Sequence, residues 1–185
     1  MKGMIFVELM EMVEEKFSAR TLETVIEAAD LPTGGAYTTV GTYDHKQLLR
    51  LVSCLSEKVD VPIPALVRTF GEHLFQSLLR DYPQKFHGVK DAFEFVAMID
   101  GNVHVEVRKL YPDAELPSFA CERTGTNDLT LIYRSNRPFA DLAHGMLNAC
   151  IAHFGESITV ERHDEGLIPG TQATFVLHRN TGAGL

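Results

Sequence analysis

No stretch of this chain is apolar for long enough to cross a bilayer, which takes about 20 residues. The segment from Met1 to Phe17 is apolar but carries Glu8, Glu11, Glu14 and Glu15, acids that the core of a signal peptide excludes. Cysteine is scarce. Cys54, Cys121 and Cys150 are far apart and odd in number, with no paired metal-ligand spacing, so buried or incidental reduced thiols are expected. Positive charge is scarce too. With 17 Lys and Arg against 25 Asp and Glu, the net charge is −8 and the pI about 5.4. That balance argues against nucleic acid or an anionic membrane as the main partner. A nucleophile elbow, a phosphate loop and a helical metal pair are all missing; Gly34-Gly35 lacks the strand–helix context of a phosphate site. The expectation is a cytoplasmic, non-enzymatic protein.

What is present suits a single domain of 185 residues, long enough to bury roughly 70% of its unfolded surface without disulfides. The first two-thirds show helical spacing. Ile5, Leu9, Met12, Val13 and Phe17 form one stripe, and Leu22, Val25, Ile26 and Ala29 a second. Pro32 to Gly35 is a break. Asp44 is placed as an N-cap, with Gln47 in capping-box position before Leu48, Leu51, Val52, Leu55 and Val59. Pro62 and Pro64 open a helix bearing Leu66, Phe70, Leu74 and Leu78, and Pro83 ends it. A further helix is expected from Asp91 to Leu110, with the stripe Ala92, Val96, Ile99, Val103, Val107 and Leu110.

The last third changes character. Ser118 to Arg123 and Asp128 to Ser135 read as strands, Phe139 to Phe154 as a helix, and Ser157 to His163 and Thr171 to Arg179 as a second strand pair. Residues 180–185 read as a frayed tail. Helices followed by a sheet give an α+β class: an N-terminal helical subdomain, about 1–62, and a C-terminal part, about 63–179, with a four-stranded antiparallel sheet.

Two signals about thirty residues apart carry the chemistry. His104 sits at the edge of a helical apolar stripe, where a histidine can ligate haem iron or, equally, bond a backbone carbonyl. Tyr133, Ser135 and Arg137 alternate, which in an extended segment puts three donors on one face; arginine is suited to carboxylates. The alternative is a solvated strand face. Gly71 interrupts a helix of large apolar residues at a cost of about 1 kcal/mol relative to alanine. It admits either a flat group or a close helix crossing. Pro117, after Leu116, either presses on a ligand or simply opens a strand.

In order and spacing, the start Met1-Lys2-Gly3-Met4-Ile5-Phe6, Gly71, the His104 helix, Leu116-Pro117 and Tyr133-x-Ser135-x-Arg137 resemble the haem–nitric oxide/oxygen-binding (H-NOX) domains, relatives of the haem domain of soluble guanylate cyclase. The resemblance runs from Met1 to about Arg179. It implies haem b buried between the helical and sheet-bearing parts. His104 matches the proximal iron ligand, Tyr133, Ser135 and Arg137 the propionate motif, and Pro117 with Leu116 the wall that distorts the porphyrin. Ile5, Leu9, Leu74, Leu78, Leu142 and Met146, beside Gly71, match the distal lining.

Dioxygen-binding members of the family use a distal tyrosine; here the matching position is Leu142, and Leu9 and Leu74 replace polar supporters. His144, two helical positions from Leu142, is expected to face elsewhere. The resemblance therefore implies a sensor of nitric oxide, also taking carbon monoxide, that releases His104 on binding. The signal passes to a histidine kinase or a cyclic-di-GMP synthase or phosphodiesterase. Some relatives hold zinc near the C-terminus through cysteines; with none after Cys150, no such zinc is expected. A dioxygen sensor and a haem-free adaptor are the competing readings.

Overall fold

The computed structural model describes residues 1–180. Four helices come first: α1 (Gly3–Lys16), α2 (Ala19–Ala29), α3 (His45–Val59) and α4 (Ile63–Asp81). Three of them, α2, α3 and α4, begin where the chain supplies a start signal. The Ser18 hydroxyl accepts the Thr21 amide at the head of α2, and the Asp44 carboxylate accepts the Lys46 amide before α3. Pro64 occupies the first turn of α4, where its missing N–H costs nothing. The capping box expected at Asp44 is half made. Gln47 instead accepts the Tyr37 hydroxyl at 2.9 Å, tying the loop before α3 to that helix.

The helix expected over Asp91–Leu110 is three pieces. α5 (Ala92–Met98) passes into a π-helical turn (Ile99–Val103), and α6 (His104–Leu110) follows. The Asp91 carboxylate caps α5 by accepting the Glu94 amide at 2.8 Å. One extra residue per turn shifts everything downstream around the helix axis, so the stripe breaks: Ala92 and Val96 are buried, whereas Leu110 is 65% exposed.

Strands β1 (Ser118–Arg123), β2 (Asp128–Arg134), β3 (Ile158–Glu165) and β4 (Gln172–Arg179) form one antiparallel sheet in the order β1-β2-β4-β3, with α7 (Ala140–His153) between β2 and β3. Leu129, Leu131 and Tyr133 of β2 and Ala173, Phe175 and Leu177 of β4 alternate onto one buried face. Asn180, expected to belong to the tail, is tied to the chain before β3. The Asn180 amide donates to the Ser157 carbonyl at 2.8 Å, and residues 181–185 lie outside the described part.

Two apolar cores result, and the fold is α+β. Phe6, Leu9, Met12, Leu48, Leu51, Leu66, Phe70 and Leu74 belong to the first, built on α1–α4. Phe75, Phe93, Val96, Tyr133, Leu147, Phe175 and Leu177 belong to the second, under the sheet. Helices α4 and α7 run through both. They cross at two glycines: a Cβ on Gly145 would lie 1.9 Å from the Arg68 carbonyl oxygen, and one on Gly71 2.2 Å from that of Leu142. Gly71 thus serves the close helix crossing.

Backbone cannot swing aside as a side chain can. Gly145→Ala is therefore expected to lose about 1–3 kcal/mol of stability, a fall in Tm of roughly 2–12 °C. Gly101→Ala, with nothing near its Cβ, is the matched control and should melt within about 0.5 kcal/mol of the parent.

Candidate haem pocket

The π turn sets the position of His104. The residue opens α6 with its side chain 12% exposed, and its Nδ1 lies 3.2 Å from a carboxylate oxygen of Asp100, four residues back in the turn. Burial pulls the imidazole below its ordinary pKa, against the opposing pull of the Asp100 carboxylate and the Pro117 carbonyl. A neutral imidazole is the form that ligates a metal, and a carboxylate behind the other ring nitrogen orients it. Asp100 was legible only as an acid at helical spacing from His104. Phe119 of β1 is the other neighbour that sequence reasoning missed. Its ring centroid is 5.6 Å from that of His104 and 5.5 Å from that of Tyr133, so it lies between them.

The Tyr133-x-Ser135-x-Arg137 alternation does not continue as a strand. β2 ends at Arg134, and the Ser135 hydroxyl accepts the Arg137 amide at 3.1 Å, bending the chain. Tyr133, 2% exposed, faces the second core, and burial raises its phenol pKa. Its hydroxyl lies 3.5 Å from the Arg137 carbonyl, so the tyrosine and the turn still meet.

Arg137 is 14% exposed, and its guanidinium grips the Glu115 carboxylate while also donating to the Glu115 carbonyl at 3.3 Å. Glu115 directly precedes half-buried Leu116 and Pro117, and its own side chain is 72% exposed. A sheltered fork that already holds a carboxylate on a solvent-facing partner fits an exchangeable carboxylate such as a haem propionate.

The remaining candidates lie on α1, α4 and α7. Leu9 and Leu74 are buried in the first core, with Ile5, Leu142 and Met146 packed against it, and Leu78 is half-buried on α4. Met146 also packs against the second core, so it stands at the boundary between the two. His144 lies over the Phe175 ring, 5.5 Å between centroids, in the sheet-side core and away from that set. Two tyrosines border the first core, and both hydroxyls are committed elsewhere: Tyr37 donates to Gln47, and Tyr43 accepts the Thr38 amide at 3.0 Å.

The frame of two cores, a sheltered neutral imidazole and a carboxylate-gripping arginine is that of a haem-binding domain. The haem-NO-binding family model matches residues 2–162, and the chain belongs to that family, the H-NOX haem-based gas sensors. Solved structures agree. An unliganded Fe(II) H-NOX protein from K. algicida is 37% identical, with a TM-score of 0.92 and 100% of both chains covered. The H-NOX of Shewanella woodyi, solved with IWP-051 in the Fe(II)CO state, is 44% identical, with a TM-score of 0.84 over 100% of this chain and 97% of that one. An S. oneidensis H-NOX in the Fe(II)NO state is 25% identical, with a TM-score of 0.87 over 98% of this chain and 100% of that one. No curated protein matches the chain. Among the described residues, no helix is long and apolar enough to cross a membrane.

Proposed function

We propose that this chain is a cytoplasmic nitric oxide sensor that binds haem b between a helical part, about 1–62, and the sheet-bearing part, about 63–179. Haem, when bound, would supply a ferrous iron able to take a diatomic gas. His104 ligates that iron from α6. Arg137, Ser135 and Tyr133 take the propionates, with Arg137 exchanging Glu115 for one of them. Leu116 and Pro117 press on the macrocycle from the His104 side. Ile5, Leu9, Leu74, Leu78, Leu142 and Met146 line the gas side, beside the helix crossing at Gly71.

Release of His104 on nitric oxide binding would free α6 and its π turn to relax, and the two cores would then rotate slightly. This is a population shift between two discrete packings. A histidine kinase or a cyclic-di-GMP enzyme reads the change at the surface. The chain itself performs no turnover.

One observation carries the preference for nitric oxide over dioxygen. The first core offers apolar side chains, and the hydroxyls of its two bordering tyrosines pair with Gln47 and with Thr38. Bound dioxygen carries partial negative charge and needs a donor; nitric oxide does not.

The test is an anaerobic absorption spectrum of the reduced protein, repeated with nitric oxide and then with air. A five-coordinate ferrous species, giving a five-coordinate complex with nitric oxide and no stable complex in air, is the expected result. A stable complex in air would overturn the gas assignment. Failure to retain haem after reconstitution would overturn the cofactor assignment.

A further inference from the structure

A second constellation lies outside the haem site, between α1 and α4. Glu8, 8% exposed, and Ser77, 3% exposed, are the buried polar residues of the described chain, and the Ser77 hydroxyl donates to the Glu8 carboxylate. His73, one helical turn before Ser77, has its side chain 10% exposed. Its Nε2 is buried and makes no hydrogen bond. That nitrogen nevertheless faces a Glu8 carboxylate oxygen at 3.4 Å. Ligand atoms of Glu8, Glu11 and His73 all lie within 4.8 Å of one another.

The spacing is diagnostic. A separation of 3.4 Å without hydrogen-bond alignment is a poor use of a buried imidazole and a buried carboxylate. It suits two ligands of one cation, because bonds of about 2.0 Å in a tetrahedral shell put neighbouring donors about 3.3 Å apart. The surroundings complete the pattern. His73 Nδ1 faces Glu15 at 3.6 Å, the arrangement in which an outer carboxylate orients a metal-bound histidine. Ser77 fixes the same Glu8 oxygen, Oε2, that faces His73.

Glu11 is exposed, which leaves it free to swing onto the ion. A groove of about 650 Å³, lined by Glu15, Lys16, His73 and Gln76, gives a path from solvent. Three acids on α1, Glu8, Glu11 and Glu15, face one imidazole and Arg80, whose guanidinium is 3.9 Å from Glu8 and is held mainly by Asp81 at 2.9 Å. A divalent cation neutralises that excess.

We propose that Glu8, Glu11 and His73 form a site for a divalent transition cation, with water completing the shell. One imidazole with two carboxylates suits zinc-like, borderline ions over calcium or magnesium. The site ties α1 to α4 immediately behind Leu9 and Leu78, independently of haem.

Zinc alone is the probe. Haem-loaded protein stripped of loose metal is dialysed to equilibrium against zinc and assayed for zinc per chain. One zinc per chain is expected. His73→Gln and Glu11→Gln should each weaken binding by more than roughly tenfold, the lower range for losing even an outer partner, and Glu15→Gln by about tenfold. His163→Gln, at an exposed histidine, should change nothing. Glu11 is exposed, so its variant tests the site even if variants at buried Glu8 fail to fold. Zinc well below one per chain, or equal affinity in His73→Gln and Glu11→Gln, overturns the proposal.

Discussion

His104→Gly is expected to leave the purified protein almost without haem, and imidazole added during expression should restore it. The variant removes the sole proposed protein bond to iron while leaving in place the Arg137 fork and the proposed Pro117 wall and apolar gas side. Imidazole then fills the space vacated by the side chain. The second half of the expectation concerns signalling. Nitric oxide should still bind the rescued protein, but nothing now connects the departing ligand to α6.

That helix is poorly equipped to hold itself. It has seven residues, no side-chain N-cap and a π turn at its head, and a helix this short is marginal without outside contacts. In the parent protein, hydrogen exchange in residues 99–110 should therefore quicken when nitric oxide is added. In rescued His104→Gly it should be fast beforehand and unchanged by the gas. An equal response to nitric oxide in both proteins would sink the release mechanism.

Leu142→Tyr is expected to raise dioxygen affinity by about ten- to a hundredfold. A hydrogen bond to a charged acceptor contributes about 1.5–3 kcal/mol, and each 1.4 kcal/mol is tenfold. The change adds a hydroxyl to the proposed gas side, whose bordering tyrosines pair with Gln47 and Thr38. Only the side chain changes; the Leu142 carbonyl that meets Gly71 stays as it is. The measurement is a dioxygen titration of the ferrous variant beside the parent, with nitric oxide binding followed in both. Nitric oxide affinity should move little. An unchanged dioxygen affinity in a protein that melts like the parent would mean that residue 142 does not face the gas.

Where the chain repeats its apolar residues at one period, the elements were legible before the structure. Helices α1 to α4 and α7 and all four strands lie within a few residues of their expected positions. Phe6, fully buried yet off the expected stripe, shows the limit: it is recruited by Tyr37 and Tyr43 from a loop that has no period.

The misses share a cause: each depends on a local register change or on a partner distant in sequence. The π turn replaced a continuous helix, and Gly101-Asn102, weak helix formers inside an apolar stripe, were its trace. The bend at Ser135 is driven by a side chain bonding the backbone two residues on, which outcompetes strand continuation. Glu115 beside Arg137 and His73 beside Glu8 join residues 22 and 65 positions apart, pairings that helical or strand periodicity does not encode. The residues resembling the family motif were found because they carry chemistry, whereas the acids and rings around them were not.

The crossing at Gly71 and Gly145 has a mechanical consequence. Backbones in direct contact leave no side chain to deform, so α4 and α7 are barred from sliding past one another. Both helices reach into each core, with Leu74 in one, Phe75 in the next, and Met146 against both. The crossing is then a fulcrum. In the proposed response to nitric oxide, any rotation of the sheet-side core would pivot about that point, and the far arm, α1 to α3 with the loop bearing Tyr37 and Tyr43, would travel furthest.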